Sequence, residues 1–202
     1  MKFDGATAAY RRALVIVIAI NAIMFVVEMT AGIRGQSMAL QADALDFLGD
    51  TATYAISLWV IGHSVRVRAS AAMVKGISLG ALGLWVFGST AYQVMVQGMP
   101  EPLIMTGIGA LAFVANAASA LILLKFRDGD SNVRSVWLCS RNDAIGNLAV
   151  IAAAGGVVLT GTAWPDLIVA MFMAALFLQG AFSILRQAAR ELSAEAVAGP
   201  AE

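Results

Sequence analysis

The sequence predicts an all-α membrane protein of six transmembrane helices with both termini in the cytoplasm. Three observations predict it. The chain is 60% hydrophobic, and only 13% of its 202 residues are charged, roughly half the charged share of a soluble domain. Charges, glycines and prolines divide it into apolar stretches of about twenty residues, the length that crosses a bilayer. Finally, of 13 Lys and Arg only Arg34 falls in the connections "RGQ", "QGMPEP" and "TGTAWPD". The basic residues of the alternate connections and both ends therefore face the cytoplasm.

The first span, Ala13–Ile33, follows "MKFDGATAAYRR". It is longer than the apolar core of a signal peptide and lacks a clear small-residue cleavage site, so it reads as a retained helix. The remaining spans are expected at Ser37–Gly62, Ala71–Gln97, Pro102–Phe126, Val133–Leu159 and Trp164–Leu185. Residues 1–189 then form one transmembrane domain and 190–202 a short cytoplasmic tail, with no further domain expected. A multi-pass protein of the bacterial inner membrane fits this pattern, with the lipid bilayer as its surroundings. Acidic and basic residues balance at 13 each, which leaves no basic footprint for nucleic acid. The one cysteine, Cys139, excludes an internal disulfide.

The second span is the anomaly. "SMALQADALDFLGD" carries Asp43, Asp46 and Asp50, and an ionised aspartate at mid-membrane costs about 2.5–3.5 kcal/mol. At about 100° per residue the three acids fall within an arc of roughly 60° and form one stripe. In the fifth span "WLCSRNDAIGNLAV" sets Cys139, Asp143 and Asn147 four residues apart on one face. Each helix thus offers an i, i+4 pair of ligand types, Asp46 with Asp50 and Cys139 with Asp143. Four such donors on facing helices can enclose a dication at a little over ~2 Å. A bound dication, or protons in its place, would compensate the charge. Acids crowded in a low dielectric cannot all ionise together, so metal entering the site must expel protons. Hydrogen bonding that only fixes helix packing is the alternative for a single aspartate; three acids on two helices argue for a functional site.

At these residues the chain resembles the cation diffusion facilitators, a family of divalent metal/proton antiporters. Asn21, Glu28, Gly32 and Gly35 precede the Ser-Met-Ala-Leu to Asp50 block as in that family, and "NVRSVWLCSRNDAIGNLAV" matches its fifth helix. The resemblance covers nearly the whole chain as a transmembrane domain. It implies Asp46, Asp50 and Asp143 as metal ligands, with Cys139 where relatives carry His or Asp. It also implies a short form without the family's cytoplasmic metal-binding domain. Should Cys139 bind, its thiolate favours zinc, cadmium, cobalt or nickel over magnesium or calcium; otherwise it is a small buried residue and water completes the shell.

Other residues take supporting parts in this reading. Asp43, one turn outward of Asp46, is assigned to the pathway or to the surroundings of the ligands. Asn147 and Asn116 are assigned to interhelical hydrogen bonds beside the site. Glu28 joins them as a weak candidate that reaches either the interior or only the interface. His63 at the membrane edge is solvated or helps admit metal, and Asp128 and Asp130 form a solvated turn or attract cations. Gly76, Gly80 and Gly83 mark a close helix contact, with a homodimer interface as one use. Trp137 and Trp164 are interfacial anchors.

The expected function is export of a divalent transition metal from the cytoplasm in exchange for protons, with metal ions and protons as partners and no other cofactor. A non-transporting metal sensor or partner subunit is the alternative. An amine carrier would need aromatic caging near the acids, where only Phe47 and Tyr54 lie. With no P-loop motif, and His63 the single histidine, no enzyme chemistry is expected.

Overall fold

A computed structural model describes residues 7–60, 65–96, 98–128 and 131–198. It is built from six helices: α1 (Ala8–Arg34), α2 (Met38–Trp59), α3 (Val65–Val96), α4 (Pro102–Leu123), α5 (Ser131–Thr160) and α6 (Trp164–Ala198). One 3-10 turn, Leu124–Phe126, follows α4. Among the described residues there is no strand.

Local chemistry sets the helix ends. The Thr7 hydroxyl accepts from Tyr10 N at the start of α1, and the Ser37 hydroxyl accepts from Leu40 N at the start of α2, each satisfying a donor that the helix cannot. Pro102 opens α4, where its fixed φ suits the first turn. The α1–α2 turn is short: Gly35 N bonds back to Ala31 O at 2.7 Å, and Gln36 takes φ 51°.

Two helices run past their expected ends. α3 begins at Val65 rather than Ala71, and α6 continues beyond its apolar span, which ends at Leu185, to Ala198. The residues added to α6 are mostly Ala, Glu, Arg and Leu, strong helix formers, and Gln187 Nε2 donates to Glu191 Oε1 at 2.9 Å within them. Charge ends a hydrophobic run without ending a helix.

Among the described residues five helices, α1, α3, α4, α5 and α6, are long and apolar enough to cross a membrane. α2 has 22 residues, or about 33 Å at 1.5 Å per residue, which is also sufficient length; its three aspartates set it apart. The bundle shields it. α1 packs with α2 and α4, α4 with α5, and α3 extensively with α6, while α2 and α5 also pack against α6. Met38, Ala42, Leu45 and Val86 pack with Leu167, Ala170, Ala174 and Phe177 on the α3/α6 side. Ala39 and Leu40 pack against Met105 and Val150 on the other. The outer surface is apolar instead, with Leu159 88% and Leu103 80% exposed, as lipid contact requires.

The small residues of α3 are occupied within the chain. A Cβ on Gly76 would stand 2.7 Å from Leu185 Cγ, and one on Gly83 3.1 Å from Leu178 Cγ. The close helix contact expected of this stripe is made with α6. Gly32 has the tightest surroundings in the α1–α2 hairpin, where an added Cβ would lie 2.9 Å from Gln41 Cγ and 3.0 Å from Gln41 N. Gly32→Ala should destabilise the protein by about 1–3 kcal/mol through overpacking. Gly88→Ala, with nothing within 4 Å, should be neutral or stabilising. Thermal unfolding of both variants in detergent checks this.

Candidate metal centre

The helical stripe of α2 meets α5 in the interior. Asp46 and Asp143 line the same cavity, and Asp50, one turn along α2, is close enough for its charge to act on Asp143. Asp50 has a partner in the hydroxyl of Tyr54, one turn further along α2, which donates to its Oδ2. Tyr54 is 1% exposed, and Val136 O lies 3.5 Å from its oxygen.

Cys139 is exposed, which removes the reading of it as a small buried packing residue. It stands one turn from Asp143 on α5, with its thiol within hydrogen-bonding reach of the Tyr54 hydroxyl. The thiol is therefore at the edge of the acidic set rather than inside it. Among the described residues no three His, Cys, Asp or Glu side chains are already drawn together as a ligand shell.

Lys75 was not legible as a member of this site. Its Nζ donates to Ser57 Oγ at 3.0 Å, on the α2 face that also carries Asp50 and Tyr54, and its charge acts on Asp50. An ammonium inside an apolar span is itself a signal, because it needs an anion nearby; α2 holds the nearest supply.

One turn outward the acids are tied to other helices. Asn147 Nδ2 donates to Asp43 Oδ2 at 2.5 Å, and Asn116 Nδ2 donates to Asn147 Oδ1 at 3.2 Å. All three side chains are buried. Glu28 reaches the interior rather than the interface: it is 0% exposed and close enough to Asp43 for their charges to interact. Neither of its carboxyl oxygens has a donor among the described residues. Asp43, Asp46, Asn142 and Asp143 line a cavity of about 200 Å³ closed on one side by Val169, Phe172, Met173, Leu176 and Phe177 of α6. Polar groups thus sit against an apolar wall.

Of the remaining candidates, His63 and Asp130 lie outside the described residues. Asp128 is 91% exposed and pairs with half-exposed Arg127 at 3.6 Å, a solvated contact of small energetic consequence.

The Asn147 amide is the donor that lets Asp43 be buried. Asn147→Ala should cost about 1–3 kcal/mol, since it orphans both the Asp43 carboxyl oxygen and the Asn116 amide. Asn116→Ala should cost less, and the double variant less than the sum of the two. Unfolding in detergent across the three variants measures this coupling.

Comparison with known proteins agrees with the architecture. The family profile described as the Cation efflux transmembrane domain matches residues 14–193. Metal tolerance protein A2 of Arabidopsis thaliana is 33% identical over 129 residues, covering 57% of this chain and 33% of that protein. The metal cation efflux system protein CzcD of Cupriavidus metallidurans is 25% identical over 174 residues, 80% of this chain and 55% of the relative. Zinc transporter ZitB of Escherichia coli is 26% identical over 194 residues, 90% of this chain and 62% of the relative. The chain spans less than two thirds of the length of each. A multi-pass helical bundle with acids of α2 and α5 at one cavity, and a match that runs almost from end to end, together make this chain a member of the cation efflux family, the cation diffusion facilitators.

Proposed function

We propose that the chain carries a divalent transition-metal ion out of the cytoplasm in exchange for protons, through a site between α2 and α5. The observation that carries this reading is the approach of Asp46 and Asp50 to Asp143. Three carboxylates against the single ammonium of Lys75 leave two negative charges, the charge that a dication or two protons would neutralise. Metal and protons compete for the same oxygens, so binding one releases the other. Metal affinity therefore falls as pH falls.

Asp46, Asp50 and Asp143 supply hard oxygen donors, and Cys139 approaches to add a thiolate once the ion draws the carboxyls into one shell. That donor set favours zinc, cadmium, cobalt or nickel. Names of relatives that include zinc transporter and metal cation efflux protein support this class of cargo. Glu28, Asp43, Asn116 and Asn147 line the outward path. Transport follows if the α3/α6 pair and the other four helices rock about the site, exposing it to each side in turn. No covalent step is required. The protein belongs, on this reading, in a bacterial inner membrane with its basic connections in the cytoplasm.

Purified protein reconstituted in vesicles with a lumenal pH dye should show proton movement triggered by zinc, and Asp50→Ala and Asp143→Ala should each reduce it to background. Zinc binding without any proton movement in the wild type would point to a sensor or partner subunit instead. Cys139→Ser should weaken zinc binding about tenfold and leave manganese nearly unchanged. Unchanged affinities for zinc, cobalt, nickel and manganese would remove the thiol from the shell.

A further inference from the structure

Asp166, in the first turn of α6, is 1% exposed, and its carboxylate enters the start of a different helix. Oδ1 accepts from Ser37 Oγ at 2.5 Å and from Ala39 N at 3.1 Å, and Oδ2 accepts from Met38 N at 2.7 Å. Ser37 Oγ in turn accepts from Leu40 N at 3.1 Å. The first donors of α2 are therefore satisfied, and two of them, Met38 N and Ala39 N, by a side chain from α6. No basic residue pairs with Asp166 among the described residues. The amide dipoles at the starts of α2 and of α6 itself meet its charge.

The position of this contact gives it a role. α2 lies between α1 on one side and the α3/α6 pair on the other, and the carboxylate fixes its start to α6 at the Arg34 side of the bundle. Val169 and Met173, three and seven residues along the same face of α6, wall the cavity that holds Asp43 and Asp46. Asp43 lies five residues beyond Met38, about 8 Å along a stiff helix. A turn or shift of α2 at its start is passed directly to its aspartates.

We propose that Asp166 is a positioning residue: it clasps the outer end of α2 to α6, sets the height and rotation of the helix that carries Asp43, Asp46 and Asp50, and must release before the cavity opens outward. The proposal rests on the carrier reading above and adds to it the contact that holds the outer side shut. Losing the clasp leaves Met38 N and Ala39 N buried without partners, which favours the arrangement where water can reach them.

The test uses the full chain in proteoliposomes, with Val169→Cys as a cavity reporter in a Cys139→Ser background and a charged, membrane-impermeant thiol reagent on the outer side. Asp166→Ala should raise the labelling rate about tenfold, the change expected when a minor open state becomes common. Asp166→Asn and Ser37→Ala, which each remove part of the clasp, should raise it less and serve where Asp166→Ala does not fold. A purely structural role would lower the yield of folded protein and leave the labelling rate unchanged, and that result in the two milder variants overturns the proposal. Labelling needs no metal, so it judges the clasp independently. Zinc titration of the wild type, with Cys139 in place, judges the carrier reading: absence of binding there would sink that reading and not the clasp.

Discussion

An aspartate in a membrane is tolerable only where something answers its charge, and α2 carries three. The approach of the α2 acids to Asp143 of α5 is the constraint to which the rest of the bundle conforms. It turns the polar faces of α2 and α5 toward one cavity and keeps the first half of α2 inside the bundle, while Trp59 at its other end is 62% exposed. The other helices accept the lipid boundary, with exposed leucines, valines and phenylalanines. The half of α2 that opens with Met38 and carries Asp43 is enclosed instead.

Enclosure needs close approach and complete hydrogen bonding. Gly32 lets α1 lie against the start of α2, and Gly76 and Gly83 let α3 lie against α6. Without water, each orphan amide at a helix start would cost as much as a lost hydrogen bond, so the first turn of α2 takes its partners from Ser37 and Asp166. The carboxylates thus have two kinds of surroundings. Asp166 is buried and fixed by amide donors, whereas Asp46, Asp50 and Asp143 are only partly buried and near enough for their charges to act on one another.

Between these extremes stands the chain from Asn116 through Asn147 to Asp43 and on to Glu28. Four helices contribute one residue each, and the amides at one end are well partnered while the Glu28 carboxyl at the other has no donor. Donor supply decreases along the chain, so its amide end is a fixed scaffold and its Glu28 end is not.

By itself the sequence determined the membrane class, the helix order and the acidic stripe, because hydropathy and a period of 3.6 residues are local properties that need no partner. Asp46, Asp50 and Asp143 stood out for the same reason: charge in an apolar run is visible in one dimension. What only the tertiary structure decided is which groups answer those charges. Tyr54 and Lys75 beside Asp50, the depth of Glu28, the exposure of Cys139 and the reach of Asp166 across 128 residues to Met38 N depend on which helices are neighbours. The same holds for the glycines of α3, whose pattern signals close packing without naming the partner. Helix neighbours are fixed by the summed packing of many apolar side chains, each compatible with several arrangements, and no local pattern carries that sum.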